Sequence, residues 1–288
     1  MLNSTGRSIP RYTFLFITSY LLMSESPVTQ AQATPDQIAH VISKYDALEF
    51  SSGRANGFGI PLKALALLNV NYPNGSIKDG QPYNQPDVAT KPTISVTPTA
   101  SAVENFTAPS QFTLVMADAN TIGNPDPLAG YRHYLQNGVT FADPLPNNTL
   151  NINEASGNAV TVTDYVGPAP LVNTGKHRYA MLLFAQPLQF IAPVNLSAVN
   201  TGPGNWDLKT YVTSTGLGDL VAASFFTIQN GTGSSYNATA INSTFDDHVA
   251  STKAKSYNGL APGQYVNVSD LMKIVLGSGV IGIGSLMV

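Results

Sequence analysis

The chain has 288 residues, of which 43% are apolar and only 11% charged, against about 25% charged in an average globular protein. Its formal net charge of −3 gives no basic face for a phosphate backbone, which argues against nucleic-acid binding. The lack of Cys rules out disulfides, thiolate metal sites and cysteine nucleophiles together. The length suits one domain of about 250 residues or two small ones, enough to bury a large core without staples.

Residues 1–33 read as a leader. Arg7 and Arg11 precede the apolar run from Tyr12 to Met23, and Ala31-Gln32-Ala33 follows as a small-residue stop. These are the three parts of a secretory signal peptide, and the run is too short for the roughly 20 residues of a bilayer span. The alternative is a buried N-terminal helix. Removing the leader takes away Arg7, Arg11 and Glu25 and brings the net charge to −4. Eight N-x-S/T sequons lie beyond it, at Asn74, Asn105, Asn147, Asn195, Asn230, Asn237, Asn242 and Asn267. Each marks a potential glycan on a surface loop of a secreted protein.

Residues 34–259 read as a single, mainly β domain. One helix opens it: Thr34 is placed to cap, Pro35 occupies the first helical position, and Gln37 completes a capping box. Ile38, Val41, Ile42, Tyr45 and Leu48 then recur at helical spacing. Short β-type runs follow between Gly, Pro and Asn turns. They cover residues 65–72, 92–96, 112–117, 134–141, 160–163, 178–184 and 224–229. The runs 112–117 and 178–184 are nearly continuous in apolar residues, which predicts interior strands.

Residues 260–288 read as a spacer and a tail. From Ile274 to Val288 no residue is charged, and small residues stand upstream at Ser256, Asn258 and Gly259. This is the pattern of a GPI-anchor signal; the alternative is a buried final strand or helix. The G-x-G-x-x-G at 277–282 lacks the strand, helix and acidic residue that a dinucleotide site requires.

Enzyme motifs are missing. There is no G-x-S-x-G elbow and no H-E-x-x-H, and His40, His133, His177 and His248 are not spaced as metal ligands. Gly175-Lys176 is followed by His177 where a P-loop needs Ser or Thr. No cofactor and no catalytic residue is implied.

A polar constellation remains. The run 112–117 ends on Asp118, Tyr131-Arg132-His133 opens another run, and a Gly/Pro loop, 164–176, enters His177-Arg178-Tyr179. Such a loop presents N–H groups, an imidazole and a phenol to one cavity suited to an anion, with Asp118 fixing a histidine tautomer. The alternative is that His177 and Tyr179 close a strand edge while Asp118 caps a turn.

Residues 164–179, DYVGPAPLVNTGKHRY, resemble without gaps the D-Y-V-G-x-G-P-P-x-G-T-G-x-H-R-Y signature of the phosphatidylethanolamine-binding protein family. Residues 112–120 fall where the family's D-P-D-A-P strand stands, His133 falls at its pocket histidine, and the likeness spans roughly residues 57–229. Both prolines and the second Asp of D-P-D-A-P are replaced, and Ala169 and Leu171 stand for a Gly and a Pro. Tyr131 supplies the aromatic before the pocket histidine, and Tyr236 matches a late pocket tyrosine loosely.

The resemblance implies a large central antiparallel sheet packed on a smaller one, with peripheral helices. It implies a ligand site of Asp118, His133, His177 and Tyr179, supported by Tyr131, Pro170, Gly175 and Arg178. The implied partner is a small anion or a phospholipid headgroup, bound without turnover. Other expectations are inhibition of a serine carboxypeptidase and a glycosylated surface protein with a degenerate pocket. Membrane contact is expected only through a GPI anchor.

Overall fold

The structure is a computed structural model describing residues 32–53, 56–123, 130–142 and 148–232. The leader through Ala31, the sequons at Asn147, Asn237, Asn242 and Asn267, Tyr236, His248 and the hydrophobic tail lie outside the described residues. Helix α1 spans Pro35–Ala47. Thr34 Oγ1 accepts from the Gln37 N–H at 3.2 Å and Gln37 Oε1 accepts from the Thr34 N–H at 2.9 Å, so the capping box forms as the sequence predicts. Ala33, the last leader residue in the sequence reading, is buried, and its N–H donates to the Pro98 carbonyl at 3.0 Å.

Among the described residues ten strands follow: β1 (Ala66–Tyr72), β2 (Gly75–Ser76), β3 (Thr93–Pro98), β4 (Gln111–Asp118), β5 (Tyr131–Phe141), β6 (Leu150–Asn153), β7 (Val160–Thr163), β8 (Lys176–Gln186), β9 (Gly204–Asn205) and β10 (Leu220–Gln229). A second helix, α2 (Leu208–Thr215), precedes β10. The hydrogen-bonded order is β10-β8-β4-β5-β6-β3-β1-β2, with β7 and β9 also on β5. The larger layer holds β10, β8, β4 and β5, and the smaller holds β6, β3, β1 and β2. Short β6 joins them, pairing with β5 through Thr140 and Phe141 and with β3 through Ser95 and Val96. The two layers are therefore one curled sheet.

Side-chain alternation makes two cores from the larger layer. Leu114 and Met116 of β4, Met181 and Leu183 of β8, and Phe226 of β10 pack inward on Leu68, Val70 and Ile94 of the smaller layer. Val115, Leu182 and Phe225 face the other way, against Val41 and Tyr45 of α1 and Leu208 and Tyr211 of α2. Burial on both faces explains why β4 and β8 are almost uninterrupted apolar runs.

Beyond β8, the other edge of β10 is also paired. Lys63 and Leu65 donate to the carbonyls of Leu220 and Val221 at 2.9 and 2.8 Å. Gly80 and Tyr83 donate to Phe225 and Thr227, and Thr227 donates back to Gln81.

Candidate functional site

The register of three neighbouring strands assembles the site. Asp118, the last residue of β4, stands opposite Tyr131 of β5 on one side and Tyr179 of β8 on the other. Asp118 Oδ2 lies 2.8 Å from His177 Nδ1. The Tyr179 ring stacks on His177 at 6.3 Å and meets the edge of His133 at 5.4 Å, while Tyr131 lies 5.1 Å from His133. Asp118, His133 and Tyr179 are buried, and Tyr179 rests on Phe226 at 5.6 Å. The four residues singled out from the sequence are thus brought together.

The hydrogen bonds assign their roles. Asp118 Oδ1 accepts the Asn120 N–H at 2.6 Å and Oδ2 takes His177, so the carboxylate is committed to the protein. His133 Nδ1 is 2.9 Å from the Val166 carbonyl, which can only accept. That fixes the proton on Nδ1. The Thr174 hydroxyl donates to the Leu171 carbonyl at 2.7 Å and lies 2.9 Å from His177 Nε2.

Burial pushes the His133 imidazole below the usual histidine range. The Val166 hydrogen bond and Asp118 oppose that shift, and His177 adds to it. Burial, then the Asp118 carboxylate, hold the Tyr179 phenol far above its ordinary range, so it stays protonated. Among the described residues, no group of three or more His, Cys, Asp or Glu is placed to hold a metal ion.

The loop before β8 is held at several points. Gly167 passes so close to Ala89 that a Cβ there would sit 2.7 Å from the Ala89 carbonyl oxygen. The Pro170 carbonyl accepts from Asn230 Nδ2 at 3.0 Å, and the Asn173 N–H donates to the Asn230 carbonyl at 2.7 Å. Gly175 takes φ of 97°, a left-handed turn that suits glycine, just before the strand begins. Asn230 is a residue the sequence reading missed, since its sequon drew attention to glycosylation alone.

Arg178 points away from the two histidines, as alternation between His177 and Tyr179 requires. Its guanidinium is buried over Phe50 and donates to the carbonyls of Leu48, Ala119 and Asn120 at 2.6, 2.8 and 3.0 Å. Its support is therefore indirect: it ties the chain just after Asp118 to the end of α1.

The family described as phosphatidylethanolamine-binding protein matches residues 70–237, more than half of the chain. The chain belongs to the phosphatidylethanolamine-binding protein family. The carboxypeptidase Y inhibitor, solved in complex with its cognate proteinase, is 20% identical, with 68% of this chain and 98% of that one covered and a TM-score of 0.53. A phosphatidylethanolamine-binding protein of Plasmodium falciparum is 17% identical over 65% of this chain and 96% of that one, with a TM-score of 0.44. The large sheet and smaller sheet expected from the family signature are the two layers described above. Within the family signature, Asn173 replaces a Gly and keeps a left-handed φ of 64°.

Proposed function

We infer that the protein binds a small anionic ligand, such as a phospholipid headgroup, between His133, His177 and Tyr179, and does not turn it over. The observation that carries this reading is the convergence of two histidines and a phenol from three strands, with a buried carboxylate orienting one imidazole. Thr174 is exposed, so a ligand oxygen can replace its hydroxyl at His177 Nε2. A second oxygen meets His133 Nε2 once that nitrogen is protonated.

The Asp118–His177–Thr174 line has the order of a hydrolase relay, with the single Thr174 hydroxyl lying within hydrogen-bond distance of both the Leu171 carbonyl and the imidazole. The binding reading gives that hydroxyl the task of holding the loop turn through Leu171.

His133 gains its second proton only in acid, because burial lowers its pKa. An anion binds the protonated form better, so affinity for phosphoethanolamine is expected to rise as pH falls from 7.5 to 5, and His133→Gln flattens that rise. His177→Ala is expected to weaken binding by about 1.5–3 kcal/mol, the value of a charge-assisted hydrogen bond. Calorimetric titration checks both. Equal affinity of wild type and His177→Ala would remove His177 from the site, and phosphoester turnover would contradict the binding reading.

A second reading, inhibition of a serine carboxypeptidase, draws on the likeness to the carboxypeptidase Y inhibitor. Undiminished peptide hydrolysis by carboxypeptidase Y in the presence of this protein would exclude it for that enzyme.

We place the protein in the secretory pathway, on the leader pattern and the sequons. Asn74, Asn105 and Asn195 are exposed, whereas Asn230 Nδ2 is engaged by Pro170. Secreted material is expected to begin near Thr34 and to lose mass on deglycosylation. A C-terminal peptide ending at Val288 in that material would eliminate the anchor.

A further inference from the structure

A cavity of about 560 Å³ opens between α1 and the outward face of β1 and β3, and it shares none of the residues of the histidine site. The pleat of β1 produces its floor. Ala66, Leu68, Val70 and Tyr72 are buried, so Leu67, Asn69 and Asn71 face the other way. Ser95 and Thr97 of β3 pair in register with Asn69 and Leu67. Asn69 Nδ2 donates to Thr97 Oγ1 at 3.0 Å and to Ser95 Oγ at 3.4 Å, and the Thr97 and Thr149 hydroxyls are 3.4 Å apart. The floor is thus a continuous set of amides and hydroxyls, each able to donate and to accept.

The wall is of another kind. His40 and Lys44 come from α1, and Lys78 from the segment after β2. The lone acid of the lining, Asp79, places its carboxylate on Ser224 Oγ and the Phe225 N–H, at 2.8 and 3.0 Å, and its carbonyl accepts from Lys44 Nζ at 3.0 Å, so Lys44 is held by Asp79 and the exposed Lys78 is the cation left for a ligand. In a chain of net charge −3, an exposed lysine thus stands beside a neutral polar floor. No Phe, Tyr or Trp is among the described lining residues, so nothing there stacks a nucleobase. The aliphatic surface consists of small patches at Leu67, Val41 and Ile77, suited to the C–H face of a sugar rather than an acyl chain.

We propose that this cavity binds an acidic carbohydrate, with sugar hydroxyls on Asn69, Ser95, Thr97 and Thr149 and the acid group toward Lys78. Both halves of the site are needed for that assignment. An inorganic anion uses the wall and makes nothing of the floor. A neutral sugar uses the floor and gains nothing from Lys78. A ligand rich in hydroxyls that carries a carboxylate satisfies both.

The probe is a hyaluronan hexasaccharide, which alternates glucuronate with N-acetylglucosamine, titrated calorimetrically into the full chain. Chitohexaose serves as the neutral counterpart. Saturable binding of the hyaluronan hexasaccharide is expected, at least about tenfold tighter than chitohexaose at low salt. Lys78→Gln and Asn69→Leu are each expected to weaken it about tenfold or more. Lys78 is exposed, so Lys78→Gln keeps the test valid if Asn69→Leu folds poorly. His177→Ala leaves hexasaccharide binding unchanged, which separates this site from the headgroup reading. Absence of saturable binding, equal affinity for chitohexaose, or wild-type affinity in Lys78→Gln would each overturn the proposal.

Discussion

Replacing Arg178 with Met is expected to destabilise the protein by about 3–5 kcal/mol, the largest single loss among the residues around the site. One guanidinium satisfies the carbonyls of Leu48, Ala119 and Asn120, the first two in buried hydrogen bonds. An orphaned buried acceptor costs about 1–3 kcal/mol, and the new apolar side chain recovers part of the sum by packing on Phe50. Burial lowers Arg178 to about 10, so it is still charged at neutral pH and its bonds are charge-assisted. Arg178→Lys is expected to fall between, because one ammonium cannot reproduce a planar fork with three partners. Urea unfolding measures all three proteins. A loss under about 1 kcal/mol for Arg178→Met would show that water replaces the guanidinium at the carbonyls.

Asp79→Asn is expected to stabilise the protein at pH 7.5 by up to about 3 kcal/mol and to do nothing below pH 4. Burial raises the Asp79 carboxyl to about 6, against the opposing pull of Ser224, Phe225 and Lys44. Between its ordinary value of 3.8 and about 6, the folded state therefore holds a proton that the unfolded chain has released. Stability contributed by this group is present below that window and is lost as pH rises through it. A shift of roughly two units corresponds to about 3 kcal/mol, at 1.36 kcal/mol per unit. In Asp79→Asn the side-chain amide oxygen can keep both hydrogen bonds that Asp79 Oδ1 accepts, so the charge is the main loss. The check is the urea midpoint of both proteins from pH 4 to 8. A variant less stable than wild type at pH 7.5 would mean that the ionised carboxylate is stabilising.

The legibility of these elements in the sequence varies with their physics. Helix α1 is readable because cap, Pro and apolar spacing agree in one short stretch. Strands β4 and β8 are readable because burial on both faces leaves almost no polar interruption. Helix α2 is absent from the sequence reading. Its Leu-Lys-Thr-Tyr-Val-Thr-Ser-Thr has residues that favour strands, and the helix is decided at its ends instead, by the Asp207 cap on the Thr210 N–H and by Gly216 at φ 68°. Strand β6 is absent from it too, because Asn151 and Asn153 read as turn residues, while its place depends on pairing with β5 and β3. In the site, the clustered motif makes His177 and Tyr179 easy to single out. The outward aim of Arg178 follows from strand alternation, but its three acceptors come from distant segments. The grip of Asn230 on the Pro170 loop has no local signature at all.

The segments at 62–65 and 80–83 run along β10 and occupy carbonyls and amides that a ten-residue apolar strand would otherwise offer to a neighbour. An open row of that kind is a template: it recruits like segments and seeds their growth into ordered aggregates. Here the chain supplies its own stopper, drawn from two stretches near β1 and β2. A proteolytic nick within either stretch would loosen the stopper, turning a discrete molecule into a nucleus for assembly. Durability in a protease-rich setting would then depend less on the strength of the core than on how well those short stretches resist cleavage.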